Sequence, residues 1–76
     1  MPRLPAMNAK EIIQALTRAG FYIHHQKGSH VQLRHEEKLH LRVTVPYHVR
    51  FDLPPSVVRS ILHQAEITPV EFLKLR

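Results

Sequence analysis

An α+β fold of order α-β-β-β-α, a three-stranded antiparallel sheet with helices on one face, is predicted for this 76-residue chain. Three observations predict it. Apolar residues recur at helical spacing near both ends, around Ile12, Ile13 and Leu16 and again around Val57, Val58, Ile61 and Leu62. Between them, three runs alternate apolar and polar residues with the period of a strand. The apolar members of the three runs share one parity, so the sheet has one packed face and one wet face.

The chain opens with a Pro-containing extended lead-in over residues 1–7. Asn8 is a helix N-cap, and Glu11 at N3 is placed to reach back to the free backbone N–H as in a capping box. Met7 before the cap and Ile12 at N4 form a hydrophobic staple. The helix runs over residues 9–19 and stops at Gly20, which suits a left-handed C-cap; Arg18 complements the negative end of the dipole. The first strand covers residues 21–26, with Phe21 and Ile23 inward and Tyr22 and His24 outward. Lys27-Gly28 is the turn. Residues 29–35 form the second strand, with Val31 and Leu33 inward and His30, Gln32 and Arg34 outward.

Glu36-Glu37-Lys38 is a polar hairpin tip. Leu39, Leu41, Val43 and Val45 then alternate with His40, Arg42 and Thr44 until Pro46, which cannot donate to a ladder, ends the strand. Residues 47–53 are a loop. Pro54-Pro55 prepares the second helix, since proline is tolerated in the first turn. Val57, Val58, Ile61, Leu62 and Ala65 share one face of it. Thr68-Pro69-Val70-Glu71 opens a short last helix with a cap, an N1 proline and an N3 glutamate, and Phe72, Leu73 and Leu75 follow.

The length fits one domain over residues 1–76, near the lower limit for a self-sufficient core. With no cysteine, disulfide scaffolds, thiolate zinc sites and cysteine nucleophiles are excluded. No apolar run approaches a membrane span, and the N-terminus lacks the features of a signal peptide, so a cytoplasmic protein without membrane contact is expected. Eleven Lys/Arg against six Asp/Glu give a formal charge of +5. Such a surface attracts polyanions, nucleic acid or an acidic protein.

The outward set gathers Tyr22, His24, His30, Arg34, His40 and Arg42 on the wet face. None of the seven histidines forms a helical His-x-x-x-His pair, and no carboxylate stands where it would complete a metal triad, so no metal is expected. His25 and His35 have inward or edge parity and are expected in the core or at its rim. His48 is assigned to positioning the loop and His63 to the surface of the second helix.

Several stretches occur together in a recognisable order. The first helix runs into Ala19-Gly20-Phe21, and Lys27-Gly28-Ser29-His30 follows the first strand. Then come Val43-Thr44-Val45-Pro46-Tyr47-His48, Arg59-Ser60-Ile61-Leu62-His63-Gln64-Ala65 and Glu71-Phe72-Leu73. The element order is that of the double-stranded RNA-binding domain, and over about residues 8–75 the chain resembles the HicA family of mRNA interferase toxins. One departure is local: where family members carry a short Gly-containing loop before the second helix, this chain has Val49-Arg50-Phe51-Asp52-Leu53. The resemblance implies a type II toxin that cleaves mRNA without a cofactor and is neutralised by a HicB-type antitoxin protein. It also implies that His30, in the Gly-Ser-His motif, is the essential histidine.

The residues accommodate that chemistry. Cleaving RNA without a metal needs a base for the 2′-OH proton, an acid for the leaving oxygen and positive charge for the phosphorane. Histidine, with an unperturbed pKa near 6.5, serves as either acid or base. His30 is the catalytic candidate, Lys27 a charge stabiliser, and the Gly28 and Ser29 backbone amides a phosphate cradle. Tyr22 can stack on a base, and Arg34 and Arg42 can follow the backbone. His24 and His40 are candidates for a second proton carrier or a phosphate ligand. The same residues are also compatible with a plain hairpin turn on a solvated basic face, and so with a non-catalytic RNA-binding module or a protein-interaction domain.

Overall fold

The computed structural model describes residues 3–48 and 51–76. Val49 and Arg50 of the expected loop, and Met1 and Pro2 of the lead-in, lie outside them. The elements are α1 (Ala9–Arg18), β1 (Phe21–Lys27), β2 (His30–His35), β3 (Arg42–Pro46), α2 (Pro55–Ala65) and α3 (Pro69–Leu75). The three strands form one antiparallel sheet in the order β1-β2-β3. Helices pack on one face only, α1 against β1 and β3 and α2 against β3, while α3 leans on α1 and α2. This is the expected double-stranded RNA-binding-domain-like α+β arrangement. No helix among the described residues is long and apolar enough to cross a membrane.

The core lies between the inner sheet face and the helices. Val31, Leu33, Val43 and Val45 from the sheet meet Ile12, Leu16, Val58, Ile61, Leu62 and Phe72, all almost fully excluded from water. Met7 of the lead-in and Leu75 at the end of α3 are both tied to the rest of the fold by hydrogen bonds. Met7 exchanges backbone hydrogen bonds with Leu53, so the lead-in and the loop before α2 form an isolated bridge. Met7 and Ile12 are both buried, as a staple requires. Asn8 Oδ1 accepts from the Glu11 amide at 2.9 Å, while Glu11 Oε1 accepts from the Asn8 side-chain Nδ2 rather than from its backbone. At the other end of the chain, Arg18 donates to the Leu75 carbonyl.

The capping box is complete at α3. The Thr68 hydroxyl accepts from the Glu71 amide, and the Glu71 carboxylate accepts from the Thr68 hydroxyl and backbone N–H. Those bonds, the hydroxyl's first, hold the Glu71 carboxyl below its usual value. A lowered folded-state value contributes stability that is present above the ordinary Glu range and is lost as pH falls through the depressed value. Carboxyl NMR titration of Glu71 should therefore give a midpoint below that of an unstructured Glu, and Thr68→Val should shift it back upward.

His35 ends β2 and organises the connection that follows. It is buried, its ring edge-on to Phe21. Its Nε2 lies 2.9 Å from the Ala19 carbonyl, while Nδ1 accepts from the Glu37 and Lys38 amides, each at 3.0 Å. This pattern fixes the tautomer protonated at Nε2. Gly20 sits against the ring with φ +101°, and a Cβ there would approach His35 Nε2 to 2.7 Å. Because the ring is held on both sides, it cannot swing aside. Gly20→Ala should lower stability by about 2–3 kcal/mol, from left-handed backbone strain plus a lost hydrogen bond, read as a shift of the urea midpoint.

Two strand assignments need correction. Leu39, expected inward, is 75% exposed and lies in a turn closed by Leu41 N–H to the Lys38 carbonyl; β3 begins only at Arg42. With the Glu37 and Lys38 amides committed to His35, the ladder begins at the Arg34–Arg42 pair. Ile23, also expected inward, is 52% exposed. It lies opposite Leu33 on the helical side, but β1 is an edge strand and only its first residue, Phe21, is buried. The other edge is closed differently: Gln64 of α2 accepts from the Thr44 amide at 2.9 Å.

Candidate nucleic-acid interface

The uncovered sheet face is set by the register. Lys27 pairs with His30, His25 with Gln32, and Tyr22 with Arg34. Across β2, His30 pairs with Pro46, Gln32 with Thr44, and Arg34 with Arg42. Directly opposed residues share a face, so Tyr22, His25, Lys27, His30, Gln32, Arg34, Arg42 and Thr44 form one surface. None of them is buried.

The hairpin tip has two loop residues, as expected, but is shifted by one residue along the chain. Gly28 and Ser29 are the two loop residues, flanked by the Lys27–His30 pair. Gly28 has φ +57°, as the first central position of a type II′ turn requires. A Cβ there would meet nothing within 4 Å, so backbone conformation, not crowding, demands the glycine. The Ser29 carbonyl accepts from the Tyr47 amide, which anchors the tip to the segment after β3. His30 thus stands at the first position after the turn, with Lys27 opposite.

The electrostatics of the face are one-sided. Arg34 and Arg42 oppose each other directly, an arrangement that costs stability unless an anion lies between or over them. All six acidic residues lie elsewhere: Glu11 on α1, Glu36 and Glu37 in the β2–β3 connection, Asp52 before α2, Glu66 at its C-cap and Glu71 on α3. Among the described residues, no group of three or more His, Asp or Glu side chains is placed to hold a metal.

Of the residues singled out from the sequence, the register brings together Tyr22, Lys27, His30, Arg34 and Arg42, with Gly28 and Ser29 at their edge. His40 does not belong with them. It lies in the turn before β3, and its Nε2 is 3.5 Å from the Glu66 carboxylate at the end of α2. His24 was expected on the open face by simple alternation. The pairing slips between Ile23 and His25, leaving His24 as an extra residue with no opposite partner. The slip turns His25, expected inward or at an edge, onto the open face. A signal for this lay in the numbering. A two-residue turn pairs odd positions of β1 with even positions of β2, whereas the inward sets Phe21 and Ile23, Val31 and Leu33 are all odd. A bulge in between is the only reconciliation.

No curated protein matches the chain significantly. The family described as HicA toxin of bacterial toxin-antitoxin matches residues 9–67, from the first residue of α1 to just past the end of α2. That span takes in the whole sheet, the Gly28-Ser29-His30 tip and both helices that pack against the sheet, so the chain belongs to the HicA toxin family, and a toxin of this kind implies a cognate antitoxin.

Proposed function

We propose that this toxin is an endoribonuclease that cleaves mRNA by acid–base chemistry at His30, needs no metal or other cofactor, and is neutralised by a HicB-type antitoxin. One observation carries the reading: an exposed imidazole stands beside a glycine turn, opposite a lysine, on a basic face with no carboxylate. His30 takes the 2′-OH proton, and the 2′-oxygen attacks the adjacent phosphorus. Lys27 and the turn amides of Gly28 and Ser29 stabilise the charge on the phosphorane. Arg34 and Arg42 hold the flanking backbone, and Tyr22 offers a ring on which an unpaired base stacks.

An antitoxin that offers an acidic surface would cover the same face, blocking RNA and satisfying the opposed arginines together. The reaction class is tested on the substrate. An RNA with a mapped cleavage site, resynthesised with one 2′-deoxyribose immediately 5′ to the scissile phosphate, should bind with unchanged salt dependence and remain intact. The unmodified RNA should be cut equally in the presence of EDTA. Cleavage of the deoxy-substituted RNA would overturn the proposal. RNA binding with no cleavage of either substrate would reduce the chain to an RNA-binding module.

A further inference from the structure

We propose that His25 is the second proton carrier of the site, acting on the same phosphate as His30. The inference rests on the ribonuclease reading and goes beyond it, since a lone imidazole leaves the departing 5′-oxygen without an acid. The argument starts from the register. Lys27 lies opposite His30, and His25, two residues back along β1, lies opposite Gln32. His25 and His30 are therefore diagonal neighbours on one face, a relation that sets Cα atoms roughly 7–8 Å apart and leaves long or aromatic side chains within reach of a shared group. Both residues are exposed on the face without carboxylates.

The bulge is what creates this pairing. Unbroken alternation from Phe21 would turn His25 toward the helical layer. The slip between Ile23 and His25 reverses it, on an edge strand whose remaining residues are already solvent-exposed. The same slip keeps Phe21 on the core side of a hairpin closed by a two-residue turn, so the irregularity serves the core at Phe21 and the open face at His25. Bulges of this kind recur beside active sites, where they re-aim a side chain.

The step balances with two imidazoles. His30, neutral, accepts the 2′-OH proton as the O2′–P bond forms. His25, protonated, donates to O5′ as the P–O5′ bond breaks. The products are a 2′,3′-cyclic phosphate and a 5′-hydroxyl. His30 ends protonated and His25 neutral, and exchange with water restores both.

The test uses the full chain and two versions of one mapped RNA, an ordinary one and one carrying a bridging 5′-sulfur at the scissile phosphate. A thiolate departs without a proton, so loss of the acid is bypassed while loss of the base is not. His25→Gln should slow cleavage of ordinary RNA by about 10²–10⁴-fold, yet cut the sulfur-bridged RNA within about tenfold of the wild-type rate. His30→Gln should be deficient on both; the mirror-image pattern exchanges the two roles and still makes His25 the second carrier. His63→Ala, on the exposed face of α2, should match wild type on both RNAs. Wild-type rates for His25→Gln, or equal loss on both RNAs for both histidine variants, would overturn the inference while leaving the ribonuclease reading intact. No cleavage of ordinary RNA by the wild-type chain would overturn both.

Discussion

Phe72→Ala is expected to unfold most of the molecule under conditions where the wild type is folded. Phe72 is the largest of the fully buried side chains and the buried residue of α3. A helix of seven residues does not hold its conformation alone in water. Its capping box fixes where it starts, but packing against α1 and α2 keeps it in place. Removing a buried phenyl ring costs about 3–5 kcal/mol, transfer and cavity terms together. A small domain has a total stability of only about 5 kcal/mol at the low end of the usual range. Urea denaturation should show the midpoint collapsing toward zero denaturant, while Phe72→Leu, which keeps most of the apolar volume, should remain folded with a cost of about 1–2 kcal/mol. A midpoint for Phe72→Ala close to wild type would mean that α3 is not part of the cooperative unit.

Much of the architecture was legible in the sequence because local signals and apolar pattern agreed. Asn8, Gly20, Pro54-Pro55 and Thr68 each mark a helix end where the structure has one. Val31, Leu33, Val43 and Val45 are inward as alternation requires. The misreadings share a cause: side chains and turns that alternation does not encode. Leu39 and His40 continue the period of β3, but the His35 imidazole binds the Glu37 and Lys38 amides, and the chain turns before the ladder begins. Ile23 keeps its side of the sheet and is still exposed, because β1 is an edge that the helices leave uncovered beyond Phe21.

The candidate site was legible to the same degree. His30, Lys27, Arg34 and Arg42 could be assigned to one face because β2 is regular and the turn is short. His24, His25 and His40 could not. Two of them flank or form an irregularity whose only trace was a parity mismatch between turn and core, and the third lies in a turn beside Glu66.

The largest expected functional effect belongs to His30. Its side chain is exposed at the head of β2, so replacing it removes no core contact and should leave the denaturation midpoint within about 0.5 kcal/mol of wild type. Loss of a positioned acid–base group costs about 10²–10⁴-fold in rate. Lys27 stays opposite the vacated position, and Arg34 and Arg42 stay further along the face, so RNA affinity and its salt dependence should be largely retained. The most direct measurement is single-turnover cleavage of one RNA by wild type and by His30→Gln, at protein concentrations that saturate binding for each. The expected result is equal occupancy with a rate constant reduced by at least about a hundredfold. Equal rate constants for the two folded proteins would contradict a catalytic site on the open sheet face at His30.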